Sequence, residues 1–108
     1  MILRMWRARA DRGREAGYPE HFRRHVVPAL QQVAGFLGAD LASRELEDGV
    51  EFTVCTRWAS MDAVRGFAGA EPERAVVEPA AVATLAAYDD HVTHHVVVQQ
   101  VVPSRDRA

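Results

Sequence analysis

The sequence predicts an α+β protein of the ferredoxin-like, split βαβ plan, an antiparallel sheet with helices on one face. Three observations carry that expectation. Residues 2–9, ILRMWRAR, and 50–58, VEFTVCTRW, alternate in polarity as half-buried strands do. Residues 14–34 place Tyr18, Phe22, Val26, Ala29, Leu30 and Val33 at steps of three and four, the stripe of an amphipathic helix. A Val-rich run at 91–102 closes the chain as a last strand. The element order is then β-α-β-β-α-(α)-β.

In the first strand Ile2, Arg4, Trp6 and Ala8 share one face, and Leu3, Met5, Arg7 and Arg9 the other. Asp11 and Gly13 break it. In the helix that follows, Pro19 suits an early turn. Pro28 removes a backbone donor and predicts a kink near Arg24, and Gly35 ends the helix. Residues 36–46, FLGADLASREL, lead through the turn signal Glu47-Asp48-Gly49 into 50–58 as a hairpin. Phe52, Val54, Thr56 and Trp58 point to one side of it; Glu51, Thr53, Cys55 and Arg57 point to the other. Ser60 is the candidate N-cap of a second helix, with Met61, Val64 and Phe67 inward. A short helical piece around 71–77, then Pro79 and an Ala-rich helix ending at Tyr88, precede the last strand. The Val content of that strand predicts cover on both sides. Residues 1–102 form one domain in this reading, and 103–108 a flexible tail. Val, Met and Leu on the second sheet face predict a partner sheet, hence a homodimer through sheet packing.

At net charge −2 nothing favours nucleic acid or an anionic membrane. No apolar run reaches signal-peptide length or the roughly 20 residues of a membrane helix. Cys55 is the single cysteine, which excludes an intrachain disulfide. A cytoplasmic location is the expectation. All 13 basic residues are Arg, and the chain has no Asn.

Three segments together, LRMWRARA, FTVCTRWASMDAVRGFAGAEPERAVVEP and YDDHVTHHVVV, give nearly the whole chain a resemblance. It resembles the short antibiotic biosynthesis monooxygenase domains of the dimeric α+β barrel superfamily. The resemblance implies a protomer whose sheet packs on its twofold mate, with a ligand cavity between helices and sheet. Some relatives oxidise aromatic polyketide phenols with molecular oxygen and no cofactor; others bind and degrade haem. The haem-degrading branch uses an Asn on the first strand, a Trp ending the third and a His on the following helix. Trp58 matches the Trp. The Asn position falls near Trp6 and the His position near Ala68, so two of the three residues are missing.

The candidate site residues follow from these placements. Trp58, at the end of an apolar strand face, suits an aromatic wall for a planar ligand or a core position closing the helix–sheet interface. Trp6, Phe22 and Phe67 suit the same lining or the same core. His94 and His95 must face opposite sides of the last strand, and the one facing the cavity supplies a base near neutral pH. His94 is the first candidate, because the matching family pattern is a strand beginning His-aromatic. His25 reaches the cavity only if the Pro28 kink turns it inward. Arg4 and Arg7 face opposite ways, and one of them suits a carboxylate or phenolate in the cavity, or both serve surface or dimer salt bridges. His21 and His25 stand at metal-pair spacing, but Phe22 occupies the place of the zinc-protease Glu, and with Arg23 and Arg24 beside them a solvated helix face is the expectation. No metal site and no cofactor are expected. The first functional reading is a cofactor-independent monooxygenase-like protein that binds a small aromatic or quinonoid compound. The alternatives are a non-catalytic ligand-binding or structural dimer, and a haem binder with His25, His91, His94 or His95 as axial ligand.

Overall fold

A computed structural model describes residues 1–104. The central strand, β1 (Ile2–Asp11), pairs along its whole length with β3 (Gly49–Trp58), and β3 pairs on its far side with β2 (Phe36–Leu46). The other edge of β1 takes two short strands, β4 (Ala87–Tyr88) beside Ala8 and Arg9, and β5 (Thr93–Val96) beside Ile2 to Met5. All pairings are antiparallel, in the order β2-β3-β1-β4 with β5 on the β4 edge. This is the ferredoxin-like α+β plan that the alternation implied.

The register opposes Ile2 to Trp58 and Trp6 to Val54, so even-numbered residues of both strands share one face. That face is buried throughout, from Ile2, Arg4, Trp6 and Ala8 to Phe52, Val54, Thr56 and Trp58. The helices cover it. α1 (Gly17–His21), a π-helical turn (Phe22–Val26) and α2 (Val27–Gln31) form one helical stretch. Pro28 has no N–H to return to Arg24, and the Val27 N–H donates to the Phe22 carbonyl instead. The disturbance expected at Pro28 therefore takes the form of a widened turn. Ser60 caps α3 (Met61–Ala68) as expected, its Oγ accepting from the Ala63 N–H at 3.2 Å. Gly35 has φ +86, and a Cβ there would sit 2.6 Å from the Ala63 Cβ, so glycine is required where the first helical stretch meets α3. Two apolar clusters result. One gathers Trp6, Tyr18, Phe22 and Phe52; the other gathers Ile2, Leu30, Trp58 and Val64. Each such large side chain contributes roughly 1.5–3 kcal/mol by leaving water.

The structure corrects four expectations of the fold. Residues 71–77 are not helical; they form a turn and an isolated bridge, Arg74 to His91. The Ala-rich helix shrinks to α4 (Pro79–Val82), and Tyr88 lies in β4. There the Ala86 N–H donates to the Arg9 carbonyl, so the chain leaves helix to reach the sheet edge. The last strand stops at Val96 because its partner ends: Val96 opposes Ile2, and the Val97 N–H takes the Met1 carbonyl. Val98 is 91% exposed, not covered on both sides. Residues 103 and 104 carry no regular structure, and the rest of the expected tail lies outside the described residues. The second sheet face is also more polar than expected. Leu3, Met5 and Cys55 share it with the ion pairs Arg57–Asp40, 2.6 Å, and Arg44–Glu51, 2.9 Å. Among the described residues no helix is long and apolar enough to cross a membrane.

Candidate functional site

Between the helical layer and the sheet lies a cavity of about 50 Å³. β1 supplies Arg4 and Trp6, β3 supplies Thr56, α1 supplies Tyr18 and α3 supplies Phe67. Val76, on the irregular segment after α3, completes its mouth. Three aromatic rings and one cation therefore meet there.

Arg4 is a buried guanidinium, only 7% exposed. Its Nη2 donates to the carbonyls of Arg74 at 2.8 Å and Pro72 at 3.3 Å, and its carbon end lies 5.6 Å from the centre of the Phe67 ring. Its Nε is buried without a hydrogen-bond partner. No carboxylate among the described residues forms an ion pair with it. Burial pulls its pKa down to about 10, which leaves it cationic at neutral pH.

Opposite Arg4 on the sheet edge stands His94. The register puts His94 on the helix-covered face with Arg4, and His95 on the other face beside Leu3. The His94 Nε2 is buried without a partner. Burial, and then the positive charge of Arg4, lower its pKa below 6.5, against a smaller opposing pull from Glu73. At neutral pH the ring is neutral and can accept a proton. His94 itself does not line the cavity.

Trp58 is completely buried. Its ring packs on Phe36 at 5.3 Å and Phe67 at 5.6 Å, and its Nε1–H donates to the Thr56 Oγ1 at 2.7 Å. It stands behind the cavity wall, one layer from the space itself. Trp6 is part of the wall, with its Nε1–H given to the Asp89 carbonyl at 2.7 Å. Tyr18 packs against Trp6 with ring centres 5.7 Å apart and planes tilted by 51°, and burial pushes its phenol up to about 12. It is a donor rather than a base at neutral pH. Phe22 packs on Tyr18 at 6.3 Å in the core, outside the lining.

His25 is exposed, 5.1 Å from the ring of His21, and does not reach the cavity. The π turn widens the helix without turning His25 inward. His21, expected on a solvated helix face, is instead buried, with its Nε2 lacking a partner. His91 and His95 border a separate groove of about 430 Å³ on the opposite sheet face, together with Met5, Arg7 and Glu51. Arg7 points to that face and stands 3.9 Å from Asp89. Cys55 is half-buried there, its thiol pushed up by burial. Among the described residues no group of three or more His, Cys, Asp or Glu is placed to hold a metal ion.

The sequence reading did not single out Thr56, although it shares the alternation of Trp58. Nor did it foresee the carbonyls of Pro72 and Arg74, since backbone acceptors leave no mark in a sequence.

Comparison with known proteins agrees with the fold. The family model for antibiotic biosynthesis monooxygenase matches residues 1–79. No curated protein matches the sequence. Among solved structures, a monooxygenase of Streptomyces coelicolor in complex with nanaomycin D is 18% identical, covers 95% of this chain and 92% of its own, and has a TM-score of 0.62. A cofactor-independent oxygenase from Streptomyces nogalater is 20% identical, with 95% and 98% covered and a TM-score of 0.58. A haem degrader from Mycobacterium tuberculosis, with two haems in its active site, is 22% identical, with 94% and 100% covered and a TM-score of 0.53. At these identities the likeness speaks for the fold; the family match spans most of the chain. The chain belongs to the antibiotic biosynthesis monooxygenase family.

Proposed function

We propose that this chain is a cofactor-independent monooxygenase-like protein, working as a cytoplasmic homodimer through sheet packing. Its substrate is a small aromatic or quinonoid compound held between the helices and the sheet. The observation that carries the reading is Arg4 in one cavity lining with the rings of Trp6, Tyr18 and Phe67, with His94 paired to it on the helix side of the sheet. A planar ring suits those three faces. His94 stands outside the lining, so this reading requires ligand entry to bring the neutral His94 within reach of the phenolic proton; Arg4 stabilises the phenolate left behind. The electron-rich ring then reduces molecular oxygen. A carbon–oxygen bond forms, the oxygen–oxygen bond breaks, and the ring carbon loses its hydrogen. One oxygen atom ends as a quinone carbonyl and the other as water, so phenol plus oxygen gives quinone plus water. The substrate supplies all the electrons.

A specific observation favours a second reading, a non-catalytic ligand-binding or structural dimer. A cavity of about 50 Å³ is far below the roughly 300 Å³ of an ordinary small-molecule site. The first reading therefore requires the segment bearing Val76 to move when ligand enters. Haem fits poorly. No His among the described residues lines the cavity, and the chain has no Asn.

Oxygen uptake with a panel of hydroxynaphthalenes and anthrones, under a metal chelator, tests the proposal. Uptake with the matching rise of quinone absorbance supports it. Saturable binding of the same compounds without uptake favours the non-catalytic reading.

A further inference from the structure

We infer that assembly of two copies through the sheet face away from the helices is controlled by His91 and His95, which permit the pair when neutral and part it when protonated. This rests on the homodimer proposed above and adds its regulation by pH.

Both rings are exposed on the single chain and border the groove of about 430 Å³ on that face. There, water serves either charge state. Packing a second copy on the face removes that water, and the charge of each ring must then be met by its neighbours. At the centre of the face Leu3, Met5 and Cys55 are half-buried. Around them strand alternation sets Arg7, Arg9, Arg44 and Arg57 against Asp11, Asp40 and Glu51, and Asp89 joins them at the groove. Four cations and four anions around an apolar centre make a face complementary to itself, so a second copy of this chain is the occupant it fits. The carboxylates are already engaged. Asp40 lies 2.6 Å from Arg57, Glu51 2.9 Å from Arg44 and Asp89 3.9 Å from Arg7, while Arg9 and Asp11 add one charge of each sign at the hairpin end. His91 has Arg74 opposite it across the isolated bridge, and Arg74 is itself paired with Glu71 at 3.3 Å. His95 has Leu3 opposite it and the Thr93 hydroxyl at 2.9 Å. Among the described residues, no carboxylate of this face is left over to balance an imidazolium. With neutral rings the face carries no net charge. With both protonated it carries two positive charges, and a pair of chains brings four together away from water. Separate chains, whose rings stay in water, take up those protons more readily, so acid shifts the balance toward them.

Sedimentation of the intact chain at pH 7.5 and 5.5, at constant ionic strength, tests this, with far-UV circular dichroism to check the fold at each pH. The dissociation constant of the pair is expected to rise at least tenfold at pH 5.5. His91→Gln with His95→Gln should hold it constant across that range, whereas His25→Gln, on the helical layer, should keep the native rise. Molar salt at pH 5.5 should restore part of the association, since it screens the repulsion. His91→Lys with His95→Lys carries both charges at pH 7.5, without acid. It should sediment as single chains under conditions where His91→Gln with His95→Gln stays paired. A pair equally tight at both pH values, or one that His91→Lys with His95→Lys leaves intact, overturns the switch but leaves the homodimer standing. A tenfold rise that survives in His91→Gln with His95→Gln overturns the assignment to these two residues. Single native chains at pH 7.5 and micromolar concentration overturn the homodimer and the switch together.

Discussion

Arg4 and His94 face each other across the β1–β5 ladder on the helix side of the sheet, and each holds one buried nitrogen with no hydrogen-bond partner. Two orphan polar atoms on adjacent strands are unusual in a folded interior, where nearly all are satisfied. With the His21 Nε2, they are the buried side-chain nitrogens without a partner among the described residues.

Arg4 should support folding through its volume and its backbone acceptors rather than through its charge. Arg4→Ala removes the donors to Pro72 and Arg74 and leaves a void, and is expected to cost about 2–4 kcal/mol. Arg4→Met fills the space without a buried charge and should cost less, because an apolar residue of like size avoids the desolvation of the ion. Urea unfolding of the two variants gives the comparison directly.

Thr56 and Trp58 are tied by a buried hydrogen bond of 2.7 Å. Thr56→Val strands the indole N–H and should cost about 1–3 kcal/mol. Trp58→Phe removes the donor as well, so adding Thr56→Val to it should cost distinctly less than adding it to the native chain. A double-mutant cycle reads the coupling.

Stability should depend on pH through His94. Its folded pKa is depressed below 6.5 by burial and by Arg4. The unfolded chain therefore binds the proton first as pH falls. The contribution is fully present above about 6.5 and is lost as pH drops through the folded pKa. His94→Gln should flatten that part of the stability profile, measured by denaturant titration between pH 7.5 and 4.5.

Gly35→Ala should destabilise by about 1–3 kcal/mol, since it combines a positive φ with a Cβ 2.6 Å from that of Ala63. The double variant Gly35→Ala with Ala63→Gly relieves the clash but not the backbone strain, and should recover only part of the loss in thermal melts.

Met5 opposes Cys55 on the sheet face away from the helices. If that face packs on a second copy, sedimentation should give the mass of two chains, and Met5→Glu should shift it to one. A native chain that sediments as a single protomer at micromolar concentration contradicts the proposed homodimer.

Much of the fold was legible because its signals are local. Strand alternation set the buried face of β1 and β3 residue by residue, and Ser60 marked the start of α3. The end of β5 was not legible, because it depends on where β1 begins in space and not on the Val content of residues 97–102. The 71–88 region misled for a similar reason: Ala and Glu favour helix locally, but the backbone there is spent on Arg9, Asp90 and Arg4. At the site, alternation put Arg4 and Trp6 on one face of β1, the face that is buried, and left open which terminal His faced inward. Trp58 and Phe22 carried the same aromatic signal as Trp6, yet only the packing separates wall from core. His21 was read as solvated, and its burial came from the approach of the helix to the sheet.

The most direct test of the account is the rate of oxygen consumption by the native protein and by His94→Ala, with the same phenol, under a metal chelator. The account predicts quinone formation in step with oxygen loss, and a fall of about 10²-fold or more when His94 is removed. An unchanged rate in His94→Ala would contradict it.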